Sequence, residues 1–407
     1  MVHLRRKILS FGNLVNQLQN VRWSSSLKTK DKKSVQQPPP SFKYADLSVC
    51  LAGPDQLHPK PDVKELSFGK YFTDHMLKIY YYENMNGWQA PEIMPFKNIT
   101  LHPAAKVFHY AIEMFEGMKA YRGVDGKIRL FRPELNMERM LNSTSRIGLP
   151  SFRSEELIKC ICRLISIDQE WVPHSITSSL YIRPTFIGID PTLGVVASDA
   201  ALLYVILSPA GSYFKTTKQQ GISLLADPKY TRAWPGGCGN SKFGSNYGPT
   251  IQAQQQANEK GLHQVLWLYG ENHELTEMGA MNVFIVCIND NGEKELITPS
   301  LNGLILPGIV RNSLLSMARE WNQFRVSERS ITMKEIVQLL SENRLLEIFG
   351  AGTAGVVSPV SNIEFMGQKL CIPTIEQPEP IYHMLRKHLL DIQYGVIPEH
   401  PWSLIIE

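Results

Sequence analysis

The 407-residue chain is too long for one ordinary core and fits two domains with additional terminal sequence. Its 43% hydrophobic and 20% charged content is that of a soluble globular protein, and no apolar run approaches the roughly 20 residues a bilayer-spanning helix needs, which excludes a membrane partner of that kind. The net charge of +4 is concentrated at a basic N-terminus, and no basic stripe interleaved with aromatics occurs elsewhere, so nothing suggests a nucleic-acid partner.

In chain order, residues 1–30 contain no acidic side chain. Leu4, Ile8, Phe11, Val15 and Leu18 recur at helical spacing beside Arg5, Arg6 and Lys7, and serines follow at 24–26. That pattern matches a mitochondrial transit peptide; a disordered basic tail is the plainer alternative. The triplet Pro38-Pro39-Pro40 is a stiff spacer, and the folded protein is expected to begin near Ser41. Helices are predicted over 134–147 and 155–167, the second stopped by Trp171-Val172-Pro173, with strands at 180–184 and 201–207. SPAGSYFK, over 208–215, carries the Pro, Gly and Ser of a linker. A strand at 222–226, a glycine-rich loop and a helix over 249–260 follow. Strands at 264–268 and 281–288, a helix opening at LPGIVR and another over 332–343 complete the pattern. We therefore expect an α/β protein with a terminal segment over 1–40, a smaller N-terminal domain over 41–208, a linker over 209–218 and a larger domain over 219–407. The six cysteines form no C-x-x-C pair, and Cys160 and Cys162 would diverge on a helix. They read as reduced structural thiols, with no metal site.

Three segments carry chemistry. In GGCGNSKFGSNY a single lysine, Lys242, stands among glycines and polar residues in a loop able to approach a ligand closely. Alone it is equally a solvated loop charge; as chemistry, such an amine adds to an aldehyde and then shuttles a proton. In LTEMGAMNVF, Glu277 precedes an apolar strand. It is either a surface carboxylate or the group that a pyridoxal ring nitrogen needs to stay protonated. Tyr247 is the natural phenol for the ring oxygen. In LPGIVR, Pro and Gly open a helix whose free N–H groups suit a phosphate dianion, although an ordinary helix start would look the same. GAGTAG, over 350–355, is a second small-residue turn with the Thr353 hydroxyl.

These segments, with FGKYFTDHM, LHPAAKVFHYAIEMFEGMKAYRG, RLFRPELNMERM, SLYIRP and FGAGTAG, run from Phe68 to Gly355 in an order and spacing that resemble the branched-chain amino acid aminotransferases of eukaryotic type. The resemblance implies the D-amino-acid aminotransferase-like fold (fold type IV of pyridoxal-phosphate enzymes). It also implies pyridoxal 5'-phosphate as cofactor, and transamination of leucine, isoleucine and valine with 2-oxoglutarate to give glutamate. Carried over by position, Lys242 is the Schiff-base lysine, Glu277 meets the pyridine nitrogen and Tyr247 the ring oxygen. Arg139, Ile309, Val310 and Thr353 hold the phosphate. Tyr181, Arg183, Thr353 and Ala354 match carboxylate-recognising positions, and Phe68, Tyr110, Phe115, Tyr213 and Val195 match the walls of the side-chain pocket. Tyr110 and Val195 are parts that can come from a partner subunit, so the resemblance implies a homodimer.

The chain departs from the mammalian pattern in two places. Gly355 and Ser358 stand where those members carry a redox-sensitive C-x-x-C, and Ala280 stands where they have threonine. The expectation is an intact transamination centre without that thiol switch. The competing readings are another enzyme of the same fold, such as a D-amino-acid aminotransferase or an aminodeoxychorismate lyase, and a catalytically silent homologue, which would have lost Lys242 or Glu277.

Overall fold

The computed structural model describes residues 40–211 and 221–406. The expected transit peptide, Tyr213 and most of the expected linker lie outside the described residues.

Alternation of apolar residues builds two sheets. The first takes β1 (Ser48–Val49), β2 (His75–Tyr82), β3 (Gly87–Trp88), β4 (Glu92–Pro95), β5 (Glu113–Phe115), β6 (Met118–Arg122), β7 (Ile128–Phe131), β8 (Ser179–Gly188) and β9 (Ala200–Ala210). The second takes β10 (Ile222–Ala226), β11 (Gln264–Tyr269), β12 (Glu274–Met278), β13 (Met281–Ile288), β14 (Lys294–Thr298), β15 (Arg325–Glu328), β16 (Leu345–Gly352), β17 (Val356–Phe365) and β18 (Gln368–Cys371). The last strand, β19 (Ser403–Ile406), returns to the first sheet and pairs antiparallel with β7. The main path of the first sheet is β1-β4-β2-β9-β8-β6-β7-β19, and that of the second is β12-β11-β10-β17-β16-β13-β14-β15.

The helices are α1 (Lys106–Tyr110), α2 (Pro133–Arg146), α3 (Ser154–Ile167), α4 (Ile251–Glu259), α5 (Ile309–Trp321), α6 (Met333–Ser341) and α7 (Ile381–Gln393). Predicted helices and strands match these within a few residues, because their apolar spacing is regular. Helix α3, for example, buries Leu157, Cys160, Ile161, Leu164 and Ile165 on one stripe. One boundary differs. Strand β9 runs through Ser208-Pro209 to Ala210, into the segment read as linker. Ladder pairing with β2 ends at Val205 and the last bond on that side is from the Thr73 N–H to the Leu207 carbonyl at 3.1 Å, so a proline with no N–H to donate is tolerated at 209.

Each sheet has its own apolar cluster, and a third cluster joins them. There Tyr121 and Phe131 of the first sheet pack with Phe284, Leu314, Phe349 and Leu385. Phe284 and Phe349 are both fully buried and stack at 5.2 Å. Each such side chain contributes about 1.5–3 kcal/mol by leaving water. This shared core holds the start of α5 beside the hairpin turn between β16 and β17 and beside β6, where the polar residues below collect.

Candidate active site

Lys242 lies between the two sheets and is held by its backbone. Its N–H donates to the Ser143 hydroxyl at 3.0 Å, and its carbonyl accepts the Phe115 N–H at 3.1 Å. Its Nζ donates to the Tyr247 hydroxyl at 3.1 Å and sits 4.6 Å from the Phe115 ring centroid. The glycine-rich loop thus presents the amine between a phenol and an aromatic face.

The charge on α2 turns inward rather than to solvent. Asn136, Arg139 and Ser143, at helical spacing, are all buried. Arg139 grips Glu116 with Nε at 2.7 Å and Nη2 at 2.8 Å, and its Nη1 reaches the Pro307 carbonyl at 3.2 Å. Asn136 adds a hydrogen bond to Glu116 at 2.9 Å. Burial opposes the Glu116 charge, but Arg139, Lys242 and Asn136 outweigh it and hold its carboxyl below the usual range. Burial likewise works against the Arg139 guanidinium, and Glu116 raises its pKa above the ordinary value. Three of the five guanidinium N–H groups are engaged, which leaves one on each terminal nitrogen.

Pro307 delivers the chain into α5, whose first intrahelical donor is Asn312, bonded to Gly308 O. The N–H groups of Ile309 and Val310 precede that bond and remain for an anion. Glycine is required at 308, since a Cβ there would stand 2.0 Å from the Asn282 side-chain oxygen. Ile309 and Val310 line a small cavity with Gly352, Thr353, Asn136 and Lys119. The Ala354 carbonyl next to Thr353 accepts a hydrogen bond from the buried Lys119 ammonium at 3.3 Å. Burial pulls the Lys119 pKa down to about 8. Further along the turn, the Ser358 hydroxyl donates to Gly355 O at 3.0 Å, so the two positions expected to lack thiols are joined by a hydrogen bond.

Glu277 is buried on the β12–β13 hairpin, opposite Asn282. Its carboxylate takes Arg232 Nη1 at 2.6 Å and the Leu306 N–H at 3.1 Å. Burial raises its pKa, and Arg232 offsets this only in part. The turn is tight, because a Cβ on Gly279 would stand 2.0 Å from the Gln264 side-chain oxygen. Ala280, in that turn, places a methyl where a hydroxyl was expected to be missing.

On the far side of Lys242, the first sheet presents a row of rings. Phe68 meets Tyr181 edge-on at 4.7 Å, and Arg183 lies 4.6 Å from the Phe115 centroid and 5.1 Å from that of Tyr181. Arg183 Nη2 donates to the Tyr181 hydroxyl at 3.0 Å, while Phe115 tilts against Tyr247 at 5.0 Å. Arg183 Nε and the Ser208 hydroxyl are buried and have no hydrogen-bond partner among the described residues. Gly117 makes room, since a Cβ there would lie 2.1 Å from the Tyr181 hydroxyl.

The structure therefore gathers Lys242, Tyr247, Phe115, Tyr181, Arg183 and Phe68 into one contact chain, with Arg139, Ile309, Val310, Thr353, Ala354 and Glu277 around it. Tyr110 and Val195 are placed elsewhere. The Tyr110 hydroxyl bonds the Leu193 carbonyl, and Val195 is 78% exposed, beside exposed Leu193, Val196 and Phe108. Sequence reasoning missed Glu116, Arg232, Asn282 and Lys119 as individuals. For Asn282 and Lys119 a signal existed: a lone polar residue inside an apolar strand needs a buried partner.

The class IV amino-transferase family profile matches residues 113–363. The chain is 52% identical over 364 residues to the cytosolic branched-chain-amino-acid aminotransferase of Rattus norvegicus, covering 89% of this chain and 88% of that one. It is also 52% identical over 365 residues to the mitochondrial enzyme of Bos taurus, covering 89% of this chain and 92% of that one. Among solved structures, it is similar to the Thermoproteus uzoniensis branched-chain aminotransferase with norvaline, with a TM-score of 0.65 at 25% identity, over 77% of this chain and 97% of that one. The fold is shared also with the Thermobaculum terrenum enzyme in its pyridoxal-phosphate form, with a TM-score of 0.64 at 20% identity, over 81% of this chain and 98% of that one.

Proposed function

Because this chain belongs to the class IV amino-transferase family, with branched-chain-amino-acid aminotransferases as its relatives, we propose that Lys242 is the centre of a branched-chain-amino-acid transaminase. The observation that supports it is that the loop amine, bonded to the Tyr247 hydroxyl, acts electrostatically on the buried Glu277 carboxylate, as does Arg139, which also bonds the Pro307 carbonyl just before α5. The cofactor is pyridoxal phosphate, and the residues fit it. Two Arg139 N–H groups and those of Ile309 and Val310, with Thr353, suit its phosphate. The Glu277 carboxylate suits its ring nitrogen, and Tyr247 its ring oxygen. When bound, that group supplies a carbonyl carbon for amines and a ring that accepts the electron pair released at the substrate α-carbon.

The chain's own residues do the rest. With that group bound, Lys242 Nζ, steered by its hydrogen bond to the Tyr247 hydroxyl, would take up the proton of the substrate α-carbon and hold it for return. Phe68, Phe115 and Tyr181 bury an aliphatic side chain at about 25 cal/mol per Å². Arg183 meets the side-chain carboxylate when glutamate or 2-oxoglutarate takes the same place. Thr353 and Ala354 receive the α-carboxylate. Tyr110, Val195 and the exposed apolar residues around them form part of a homodimer interface that completes the pocket. We read the two sheets as a smaller and a larger domain, and the basic N-terminus as a mitochondrial address; the relatives include both mitochondrial and cytosolic enzymes.

Steady-state assays with 2-oxoglutarate and each of L-leucine, L-isoleucine, L-valine and D-alanine test the reading. Turnover of the three branched-chain substrates is expected, together with a visible cofactor band that Lys242→Ala abolishes. A colourless protein, or one that prefers D-alanine, refutes it. A reporter fused to residues 1–40 tests the address, which is wrong if the fusion stays cytosolic.

A further inference from the structure

Arg183 shares its face of the first sheet with charged side chains of neighbouring strands, among them the Glu113 carboxylate on β5 and the Lys119 ammonium on β6, opposite Tyr181. Direct cross-strand partners point to the same side, and β5 pairs with β8 as Glu113↔Ile187 and Phe115↔Thr185. Alternation then places Glu113, Phe115, Thr185, Arg183 and Tyr181 on one face, and Tyr204 joins them opposite Thr185. The Glu113 carboxylate lies against the lysine loop. It accepts the Gly244 N–H, and a Cβ on Gly244 would come 2.5 Å from one carboxylate oxygen and 2.7 Å from the other. Glu113 forms no ion pair within contact distance among the described residues, and the charge that acts on it is that of Arg183.

We propose that Glu113 is the counter-charge of Arg183 and sets how strongly the pocket takes a dicarboxylate relative to an aliphatic amino acid. This rests on the reading that Arg183 meets the side-chain carboxylate. An isolated guanidinium in a ring-lined pocket would favour the dicarboxylate strongly and resist an apolar side chain, because its own charge would stay unanswered. With Glu113 nearby, the Arg183 charge is partly offset when leucine occupies the pocket. An incoming side-chain carboxylate then gains the attraction of Arg183 less the repulsion of Glu113. The pocket can thus hold both substrate types in turn without retaining either, as alternating half-reactions require. Glu113 is a positioning residue in this scheme, since it acts through Arg183 and braces the Lys242 loop at Gly244.

The holoenzyme tests it with Glu113→Gln, which keeps an acceptor for Gly244 and removes the charge. The ratio of KM for 2-oxoglutarate to KM for leucine should fall by about five- to tenfold, the order expected for a single charge near a partly buried site. The cofactor absorbance, titrated with glutarate and with 4-methylpentanoate, should show glutarate gaining affinity by a similar factor relative to the monocarboxylate. Glu113→Ala should shift both ratios in the same direction, while also lowering kcat by releasing Gly244. Arg183→Met separates this inference from the one beneath it. If Arg183→Met leaves the glutarate preference untouched, Arg183 does not read the side-chain carboxylate and both ideas fall. If it removes the preference while Glu113→Gln moves neither ratio, or moves both KM values together, Glu113 is only a structural brace and this inference alone is overturned.

Discussion

The two ends of the site handle buried charge in opposite ways. Where we place the cofactor, each buried charge has a partner already: Glu116 with Arg139, and Glu277 with Arg232. Where we place the substrate, Arg183 leans on the Phe115 and Tyr181 rings and bonds the Tyr181 hydroxyl, and Lys119 has one carbonyl and no carboxylate in ion-pair reach among the described residues. A resident group can be met by charges that are already locked in place, since it arrives once. Substrates that alternate between apolar and anionic side chains need donors that are not fully satisfied, and the surrounding fold bears the cost of leaving them so.

Breaking the paired end should cost most. Arg139→Met leaves Glu116 buried and unpaired, with an expected loss of about 3–5 kcal/mol in urea unfolding. The double variant Glu116→Leu/Arg139→Met should regain most of that without regaining phosphate affinity. A full recovery of cofactor binding would mean that Arg139 does not face the phosphate. The Glu116 carboxyl titrates lower in the folded chain than unfolded, so its contribution is complete above about 4.5 and is lost as pH falls through its folded value. The double variant should lack that acid-side loss.

The unpaired end should respond with the opposite sign. Lys119 binds its proton less tightly folded, at about 8, than unfolded, near 10.5, so the buried ammonium costs stability fully below about 8 and less toward 10.5. Lys119→Met should therefore raise stability near pH 7 by about 3 kcal/mol, by the free energy of such a shift. The gain should shrink through that alkaline window while turnover falls, because the Ala354 carbonyl loses its brace. A stability loss at pH 7 would show that the ammonium is better paired than it looks. Smaller again, Arg232→Gln should push the Glu277 carboxyl higher and weaken cofactor binding by about ten- to hundredfold, the worth of one charge-assisted hydrogen bond. This is read as a dissociation constant from cofactor absorbance. Ser358→Ala, which removes one hydrogen bond at the turn, should cost only about 1 kcal/mol in the same unfolding assay.

Lys242, Tyr247 and the α5 start stood out locally as candidates, as a lone amine among glycines, a phenol five residues on, and Pro-Gly opening an apolar helix, but each had an ordinary structural reading and only their combination in the resemblance gave them roles. Arg139 was legible only through resemblance, since a charge-rich helix says nothing about which face is buried. Glu116 and Arg232 are ordinary charges in their own segments and acquire meaning only when a distant chain segment delivers the opposite charge.

The sequence by itself marked the more regular helices and strands, a candidate lysine loop and a candidate helix N-terminus, because apolar periodicity, glycine and proline act within a few residues of where they stand. Only the tertiary structure decided which carboxylates pair with which guanidinium groups, that β19 returns to the first sheet, and that Glu113 shares a face with Arg183. Those outcomes depend on strand register and on residues far apart in the chain, and no local pattern carries that information.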